Sequence, residues 1–304
     1  MKESYKRRNL KGEKFINTNF GHEQRHMHKV EEQSLTRVIS ITSGKGGVGK
    51  TTTVINIALA LTRMGKRVLV FDADLSLANI HVLLGINPES DLQHVLSGDK
   101  QLSDILIEGP EGIQIIPSAS GVQSMCRLTA DQKIFLLNGI EEIASSFDYL
   151  LIDTQAGISE EVMYFNSASA EVVCVINDEP TSLTDAYALI KVLSRHYGEK
   201  EISIIVNDVP DVRSAQRSFE RLAKATEQFL QVQLDYKGFI PTDPAVSNAV
   251  CEQRAVLEVY PSSPAARSFM RVADHIDQEF YNHRIKGGMQ FFFRQLMEVS
   301  AYGS

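Results

Sequence analysis

Residues 43–52 read Ser43-Gly44-Lys45-Gly46-Gly47-Val48-Gly49-Lys50-Thr51-Thr52 and match the pattern G-x-x-x-x-G-K-[ST]. The alternating, β-branched residues 37–42 before this stretch predict a buried strand, and apolar residues at helical spacing over 53–62 predict a helix after it. A glycine loop between a strand and a helix N-terminus turns backbone N–H groups and the helix dipole toward phosphate oxygens. The stretch therefore predicts a nucleotide phosphate site.

Three side chains of this loop have predicted roles in binding and hydrolysing ATP. Lys50 supplies a charge for the β- and γ-phosphates, and the Thr51 hydroxyl suits Mg²⁺. Lys45 makes the loop a deviant Walker A motif, because such a lysine can reach across a two-fold axis to the nucleotide of a second subunit. The predicted nucleotide-binding residues of the loop are Gly44, Lys45, Gly46, Gly47, Val48, Gly49, Lys50, Thr51 and Thr52.

The composition is that of an ordinary folded protein. The chain has 304 residues, 43% of them apolar, and shows neither a signal peptide nor an apolar run long enough to span a bilayer, so we expect a cytoplasmic protein. Its three scattered cysteines favour reduced thiols. The net charge of −7 argues against direct nucleic-acid binding as the main activity, although it leaves room for a local basic patch.

Strand and helix patterns alternate along the chain after the loop. Further strands are predicted at 66–72, 113–117, 147–153, 171–177, 201–207 and 234–240, and helices at 131–146, 182–196, 214–230 and 265–281. This alternation predicts an α/β fold with a single, mostly parallel sheet of about seven or eight strands and helices on both faces.

Acidic residues follow two of these strands, at the sheet edge where parallel α/β folds bind ligands. Asp72 and Asp153 are expected to hold Mg²⁺ through its water molecules, since Asp153 ends an apolar strand in the Walker B pattern. Asp74, which lies past the strand end, is expected to orient the attacking water; a helix N-cap is the alternative for it. Lys45, Lys50 and Asp74 are the predicted catalytic residues, and Gly157 predicts a switch loop.

Two further polar residues at strand ends are candidates for contacts to the adenine base. Asn207 and Asp243 each follow a predicted strand on the edge that carries the phosphate loop. A role as a loop cap remains open for both residues.

The two ends of the chain differ from its centre. Residues 1–36 are polar and rich in Lys and Arg and predict a mobile basic arm, and residues 37–284 form the predicted ATPase domain. In the remaining segment, 285–304, residues 289–299 place aromatic and aliphatic side chains along one side of a helix behind Gly287-Gly288. This helix suits a membrane surface or a groove on a partner, and a helix packed permanently on its own domain is the alternative.

With these residues in view, the chain resembles the MinD/ParA class of P-loop ATPases and, within it, the FlhG family, also called FleN, of flagellar-number ATPases. The resemblance covers the chain from about Thr36 to its end. It is carried by residues 43–52, 72–85, 151–159, 178–191, 234–241 and 260–264 and by the start of the C-terminal segment. The stretch Glu179-Pro-Thr-Ser-Leu-Thr-Asp-Ala-Tyr187 points to FlhG within the wider class.

The resemblance implies a slow ATPase that binds Mg²⁺ and ATP or ADP, forms an ATP-dependent homodimer and meets the inner membrane, also at the cell pole, through its C-terminal helix. It also implies two partners: a master transcription regulator of the FleQ type and the SRP-type GTPase FlhF. The chain departs from the family pattern at Ser76, His81 and Gln155, which bears on turnover and switch movement, and it lacks the N-terminal motif D-Q-A-x-x-L-R that stimulates FlhF.

Three other functions are compatible with parts of the pattern. A positioning or DNA-partition ATPase of the MinD/ParA class, not linked to flagella, shares the loop, but partition requires basic surface for DNA. A metabolic P-loop enzyme or a cluster-carrying reductase is the second alternative, and the reductase needs cysteines at ligand spacing, which three scattered cysteines do not offer. A binding module without catalysis is disfavoured by the presence of Lys45, Asp74 and Asp153.

Overall fold

A computed structural model describes residues 36–74, 79–118 and 129–279 of the chain. The predicted basic arm before Thr36 and the predicted C-terminal segment 285–304 lie outside these residues, as does Ser76. None of the described helices is both long enough and apolar enough to cross a membrane.

The described part of the chain alternates strands and helices. The strands are β1 Arg37–Thr42, β2 Val68–Ala73, β3 Ile107–Glu108, β4 Gln114–Ile116, β5 Tyr149–Thr154, β6 Glu171–Ile176, β7 Glu201–Val209 and β8 Gln233–Pro241. The helices are α1 Lys50–Arg63, α2 Ile80–Leu83, α3 Leu92–Leu96, α4 Ala130–Ala144, α5 Glu160–Ala168, α6 Pro180–Tyr197, α7 Val212–Leu230, α8 Pro244–Cys251, α9 Val256–Val259 and α10 Pro264–Glu279. Short 3₁₀ turns occupy Leu102–Ile105 and Pro110–Gly112.

The eight strands form one sheet in the order β3-β4-β2-β5-β1-β6-β7-β8. Every neighbouring pair is parallel except β3 with β4, so the predicted fold class is confirmed. The central strand β1 leads into the phosphate loop, and β2 and β5 lie beside it with Asp72 opposite Asp153 in register. The predicted acidic residues therefore end adjacent strands.

Helices cover both faces of the sheet and enclose its apolar side chains. On one face α1, α8, α9 and α10 pack against odd-numbered β1 residues such as Ile39 and Ile41. On the other, α3 and α4 pack against β2 and β5, while α5, α6 and α7 share a cluster with β6 and β7. Strands buried on both sides explain why these segments are almost continuously apolar.

The helix after β6 begins earlier than its sequence pattern predicts. It starts at Pro180, with Glu179 in the N-cap position, whereas the pattern predicts a start at Ser182. Proline suits the first helical position because its ring already has a helical φ and it lacks an N–H group. The Ser182 hydroxyl instead accepts a hydrogen bond from the N–H of Asn177 at 3.1 Å.

A buried charge cluster joins the first residues of β1 and β6 to side chains of β7 and β8. The Glu171 carboxylate pairs with the Arg37 guanidinium and lies 3.5 Å from the Lys237 ammonium. Ser203 donates a 3.0 Å hydrogen bond to the same carboxylate. The two cations hold the pKa of Glu171 below its usual range despite the desolvation that burial imposes.

Candidate active site

The phosphate loop joins β1 to α1 in the geometry that its sequence predicts. Gly49 caps α1 in the left-handed region at φ 86°, and Gly47 adopts φ 81°. At Gly49 a Cβ atom would lie 2.2 Å from Nδ2 of Asn207, so a larger residue would displace that side chain and also strain the backbone. Because the N-cap residue Gly49 has no side chain to cap the first turn of α1, the N–H groups of that turn can bind an anionic ligand.

Two neighbouring segments hold the start of this loop. A Cβ atom on Gly44 would lie 2.2 Å from the backbone carbon of Asp185 in α6, which means that the loop and α6 touch through their backbones. The N–H of Gly157, just after β5, donates to the carbonyl of Ser43 at 2.8 Å. The predicted switch glycine thus contacts the phosphate loop directly, with φ 102°.

Lys50 and Asp153 form a buried ion pair beneath the loop, with side-chain exposures of 9% and 1%. Burial raises the pKa of the Asp153 carboxyl, and the Lys50 ammonium and the Thr51 side chain oppose that shift. Oδ2 of Asp153 is buried without a hydrogen-bond partner within the described chain. An unsatisfied carboxylate oxygen in this position fits a cation or its bound water.

Asp72 accepts hydrogen bonds from backbone N–H groups of Asp74 and of the start of α2. One carboxylate oxygen accepts from the N–H of Asp74 at 3.3 Å, and the other accepts from Asn79 and Ile80 at 3.2 Å each. Burial, together with the nearby Asp153 carboxylate, raises the pKa of Asp72 to about 7. The sequence prediction of a metal contact missed this role in holding α2.

Asp74 is nearly buried beside these carboxylates, at 9% exposure. Its backbone carbonyl accepts from the Ser118 hydroxyl at 3.0 Å. Asn79, rather than Asp74, precedes α2, so the cap alternative does not apply to that helix. The position of Asp74 at the end of β2 is compatible with the predicted role in orienting water, which stays a prediction.

The donor set at this edge fits Mg²⁺ held partly by water and phosphate. Within the described residues, no group of three or more His, Cys, Asp or Glu side chains forms a closed metal site. Mg²⁺ in nucleotide enzymes uses only one or two protein oxygens besides substrate phosphates and water. The Thr51 hydroxyl and the carboxylates of Asp72 and Asp153 provide oxygens of that kind.

A cavity of about 470 Å³ extends from the phosphate loop toward β7, β8 and α8. Both predicted base residues line it, and the Asn207 amide also donates to the Val48 carbonyl at 2.8 Å. Asp243 caps α8 through the N–H of Ala245 and binds the N–H of Ala265 in α10, each at 3.0 Å. The structure therefore gives Asp243 a helix-capping role at the cavity wall, whereas the sequence left only a loop cap open.

The sequence analysis did not predict helix α8, which forms one wall of the cavity. Asp243-Pro244 is an N-cap followed by a first-turn proline, and this dipeptide is the signal that predicts a helix there. Additional cavity residues are Asp208, Ile240, Pro241, Thr242, Val246, Ser247 and Asn248.

Lys45 lies at the mouth of the loop and is half-exposed. Its ammonium group pairs with the Glu179 carboxylate and donates to the Thr181 hydroxyl at 3.0 Å. Both partners belong to the stretch at the start of α6 that resembles FlhG.

The fold and this site together define a P-loop ATPase of the MinD class. A family model described as an AAA domain matches residues 36–205. Antiactivator FleN of Pseudomonas aeruginosa is 43% identical over 278 residues, which cover 91% of this chain and 97% of FleN. The chain belongs to the FleN (FlhG) family of P-loop ATPases.

Other relatives and solved structures agree with this assignment. The flagellum site-determining protein YlxH of Helicobacter pylori is 32% identical, with 86% of this chain and 90% of YlxH covered. The MinC:MinD cell division complex of Aquifex aeolicus matches with a TM-score of 0.66 and 27% identity over 83% of this chain and all of that one. MinD of Pyrococcus horikoshii, solved with Mg-ADP, matches with a TM-score of 0.62, 29% identity and the same coverage.

Proposed function

We propose that this chain is an ATP-dependent dimerising switch that regulates flagellar number. Two relatives support the biological role by their names, an antiactivator and a flagellum site-determining protein. The observation that carries the switch itself is Lys45, a second lysine at the open mouth of the phosphate loop. In a monomer this lysine meets only its own chain, whereas across a two-fold axis it adds charge at the partner's phosphates.

Catalysis in this proposal is divided among three side chains, and three more hold the metal ion. Lys50 binds the β- and γ-phosphates, Asp74 orients the attacking water, and Lys45 of the second subunit stabilises the charge that develops during phosphoryl transfer. Thr51, Asp72 and Asp153 hold Mg²⁺, directly or through water. When bound, Mg²⁺ neutralises phosphate charge. When nucleotide binds, the Lys50–Asp153 ion pair is replaced by contacts of Lys50 to phosphate and of Asp153 to the metal ion. This change links nucleotide binding to β5 and to Gly157, which follows β5 and binds the loop.

The base end of the nucleotide is assigned to the cavity between β7, β8 and α8. Asn207 is the proposed contact to the adenine edge; its place in the cavity lining and its hydrogen bond to the loop backbone support this proposal. Asp243 contributes by fixing α8 at the cavity wall rather than through a free carboxylate.

The proposed partners bind the ATP-bound dimer. These are a FleQ-type transcription regulator, which the ATPase restrains, and the FlhF GTPase at the cell pole. Residues 289–299 provide peripheral attachment to the inner membrane, and pairing two weak helices in a dimer multiplies their affinity for it. The basic arm, residues 1–36, is not assigned a part in stimulating FlhF.

Liposome sedimentation with ATP and with ADP tests the membrane step. The wild type is expected to sediment with vesicles in ATP far more than in ADP, and Phe292→Glu/Phe293→Glu is expected to remain in the supernatant. The matched control Phe292→Leu/Phe293→Leu keeps an apolar side and should still bind. Equal binding in both nucleotides would contradict the switch, and unfolding of the glutamate variant would show that the segment packs on its domain.

Capture of purified partners tests the regulatory step. Immobilised protein carrying Asp74→Ala should retain a FleQ-type regulator or FlhF with ATP and release it with ADP. Retention that is the same with either nucleotide would contradict regulation by the switch while leaving the ATPase activity itself intact.

A further inference from the structure

Gln253 has a backbone conformation that residues other than glycine rarely adopt. Its φ is 55°, in the left-handed region, just after the end of α8. The turn closes through hydrogen bonds from Gln253 N–H to the Val250 carbonyl at 3.0 Å and from Arg254 N–H to the Ala249 carbonyl at 2.9 Å. Glycine commonly ends helices in this way, so glutamine at this position carries a cost in backbone conformation.

The side chain of Gln253 contacts the short helix α2. Its Nε2 donates to the Val82 carbonyl at 3.0 Å, across 171 residues of sequence. The same side chain lies against Gly85, where an added Cβ would be 3.2 Å from the Cβ of Gln253. The absence of a side chain at Gly85, which has φ 62°, lets the two segments approach this closely.

Helix α2 is held at both ends by residues from elsewhere in the site. At its start, the Asp72 carboxylate accepts from Asn79 and Ile80, and at its end Gln253 binds Val82. A helix of four residues has little stability of its own, so these contacts and the buried Ile80 determine where it lies. The position of α2 in turn bears on Asp72, which also binds the N–H of Asp74.

The opposite end of α8 forms the wall of the nucleotide cavity. Pro244, Val246, Ser247 and Asn248 line the cavity, and the helix runs eight residues from Pro244 to Cys251, followed closely by Gln253. Hydrogen-bonded helices move as units, so a shift of this wall carries the Gln253 backbone with it.

We propose that Gln253 is a positioning residue for ATP hydrolysis, which aligns α2, and through it Asp72, according to the position of α8. The inference rests on the ATPase activity of the family and goes beyond it by assigning a function to a residue outside the nucleotide-binding and acidic motifs. Gln253 acts on the reaction through α2 and Asp72 and does not contact the reacting atoms.

Steady-state kinetics of three variants test the proposal. Gln253→Gly removes the side chain and relieves the backbone strain, and Gln253→Glu keeps the shape but cannot donate to Val82. Both are expected to lower kcat about three- to tenfold, the effect of one lost hydrogen bond, with the KM for ATP changing less than about twofold. Gln253→Lys retains a donor and should recover most of the activity.

A matched control at Gln231 distinguishes the effect of relieving backbone strain from the effect of losing the contact to α2. Gln231 also follows a helix with positive φ, at 54° after α7, and is likewise exposed. Gln231→Gly and Gln253→Gly are both expected to keep or raise Tm, since each removes a left-handed side chain. Only the change at 253 should lower kcat.

Hydrogen exchange gives a readout that does not depend on turnover. Amides of residues 79–85 are expected to exchange faster in Gln253→Glu than in the wild type without nucleotide, and to lose their response to ATP and Mg²⁺. Wild-type kcat and exchange in both Gln253→Gly and Gln253→Glu would overturn the proposal, as would an equal loss of kcat in Gln231→Gly. Failure of the wild type to hydrolyse ATP would instead refute the ATPase activity.

Discussion

Lys45 and Glu179 form an ion pair within a single chain, although 134 residues separate them. The hydrogen bond from Lys45 lowers the pKa of the Glu179 carboxyl. Both side chains are substantially exposed, at 36% and 52%. An ion pair in such a position is weak and easily exchanged, so Lys45 is held near the loop and can still be transferred to a phosphate of a second subunit.

Removing Glu179, the ion-pair partner of Lys45 in the same chain, should favour dimerisation. We expect Glu179→Gln to lower the ATP concentration needed for half-maximal dimer formation about two- to fivefold. The effect is small because an exposed ion pair has a small interaction free energy. Size-exclusion chromatography with light scattering over an ATP series measures the midpoint. Glu111→Gln, which breaks the ion pair with Arg63, is the control and should leave it unchanged. A midpoint that rises in Glu179→Gln would show that Glu179 assists rather than restrains Lys45.

Asp153 and Asp74 should differ in their effects on stability and binding. Asp153→Asn leaves the Lys50 ammonium buried without its counter-ion and should cost about 3 kcal/mol or more in the free energy of unfolding, together with weaker Mg²⁺–ATP binding. Asp74→Ala should bind ATP nearly as the wild type does but fail to hydrolyse it. Urea unfolding without nucleotide and calorimetric ATP titration distinguish the two.

The double variant Lys50→Met/Asp153→Leu is the control for the ion pair. It removes both charges and should unfold at a urea concentration closer to that of the wild type than Asp153→Asn does. Equal loss of ATP affinity in Asp74→Ala and Asp153→Asn would argue against separate roles for the two acids.

The loop glycines should tolerate alanine very unequally. A Cβ on Gly44 would overlap the backbone of Asp185 at 2.2 Å, whereas a Cβ on Gly46 meets no other atom within 4 Å. Gly44→Ala is therefore expected to lower Tm by about 10 °C or more, because α6 must shift, and Gly46→Ala by at most a few degrees. Thermal unfolding without nucleotide measures this directly. Similar Tm values for the two variants would contradict the observed contact between loop and α6.

The charge cluster around Glu171 should make stability depend on acidic pH. The pKa of this carboxyl is lower in the folded chain than its ordinary value of 4.5, so its stabilisation is present above pH 4.5 and is lost as pH falls further. Glu171→Gln should be less stable than the wild type at pH 7, and the gap should narrow below pH 4.5. Urea midpoints at pH 7, 5 and 4 measure the gap. A constant gap across this range would contradict the assignment.

The central features of the fold could be predicted from the sequence because each has a local cause. Alternating apolar runs predict the parallel sheet, and the glycine loop predicts its own position between β1 and α1. Strand ends place Asp72 and Asp153 side by side, since neighbouring parallel strands end at the same edge.

The features that the sequence did not predict depend on distant partners. The binding of Asn79 and Ile80 by Asp72, the ion pair of Lys45 with Glu179, and the contact of Gln253 with Val82 each join segments whose proximity only the folded chain defines. The sequence did not predict the edge strand β3, because a strand of two residues is too short to show an alternating pattern. Residues 289–299 lie outside the described part of the chain, and their role stays a prediction.

The most direct test of the account is the molar mass of the Asp74→Ala protein in solution with ATP and Mg²⁺. The account predicts a dimer by light scattering, a monomer when ADP replaces ATP, and a monomer in both nucleotides when Lys45→Ala is added, while ATP binding is retained. A monomer in ATP for Asp74→Ala, or a stable dimer that persists after Lys45→Ala, would contradict the claim that Lys45 acts across a nucleotide-dependent dimer.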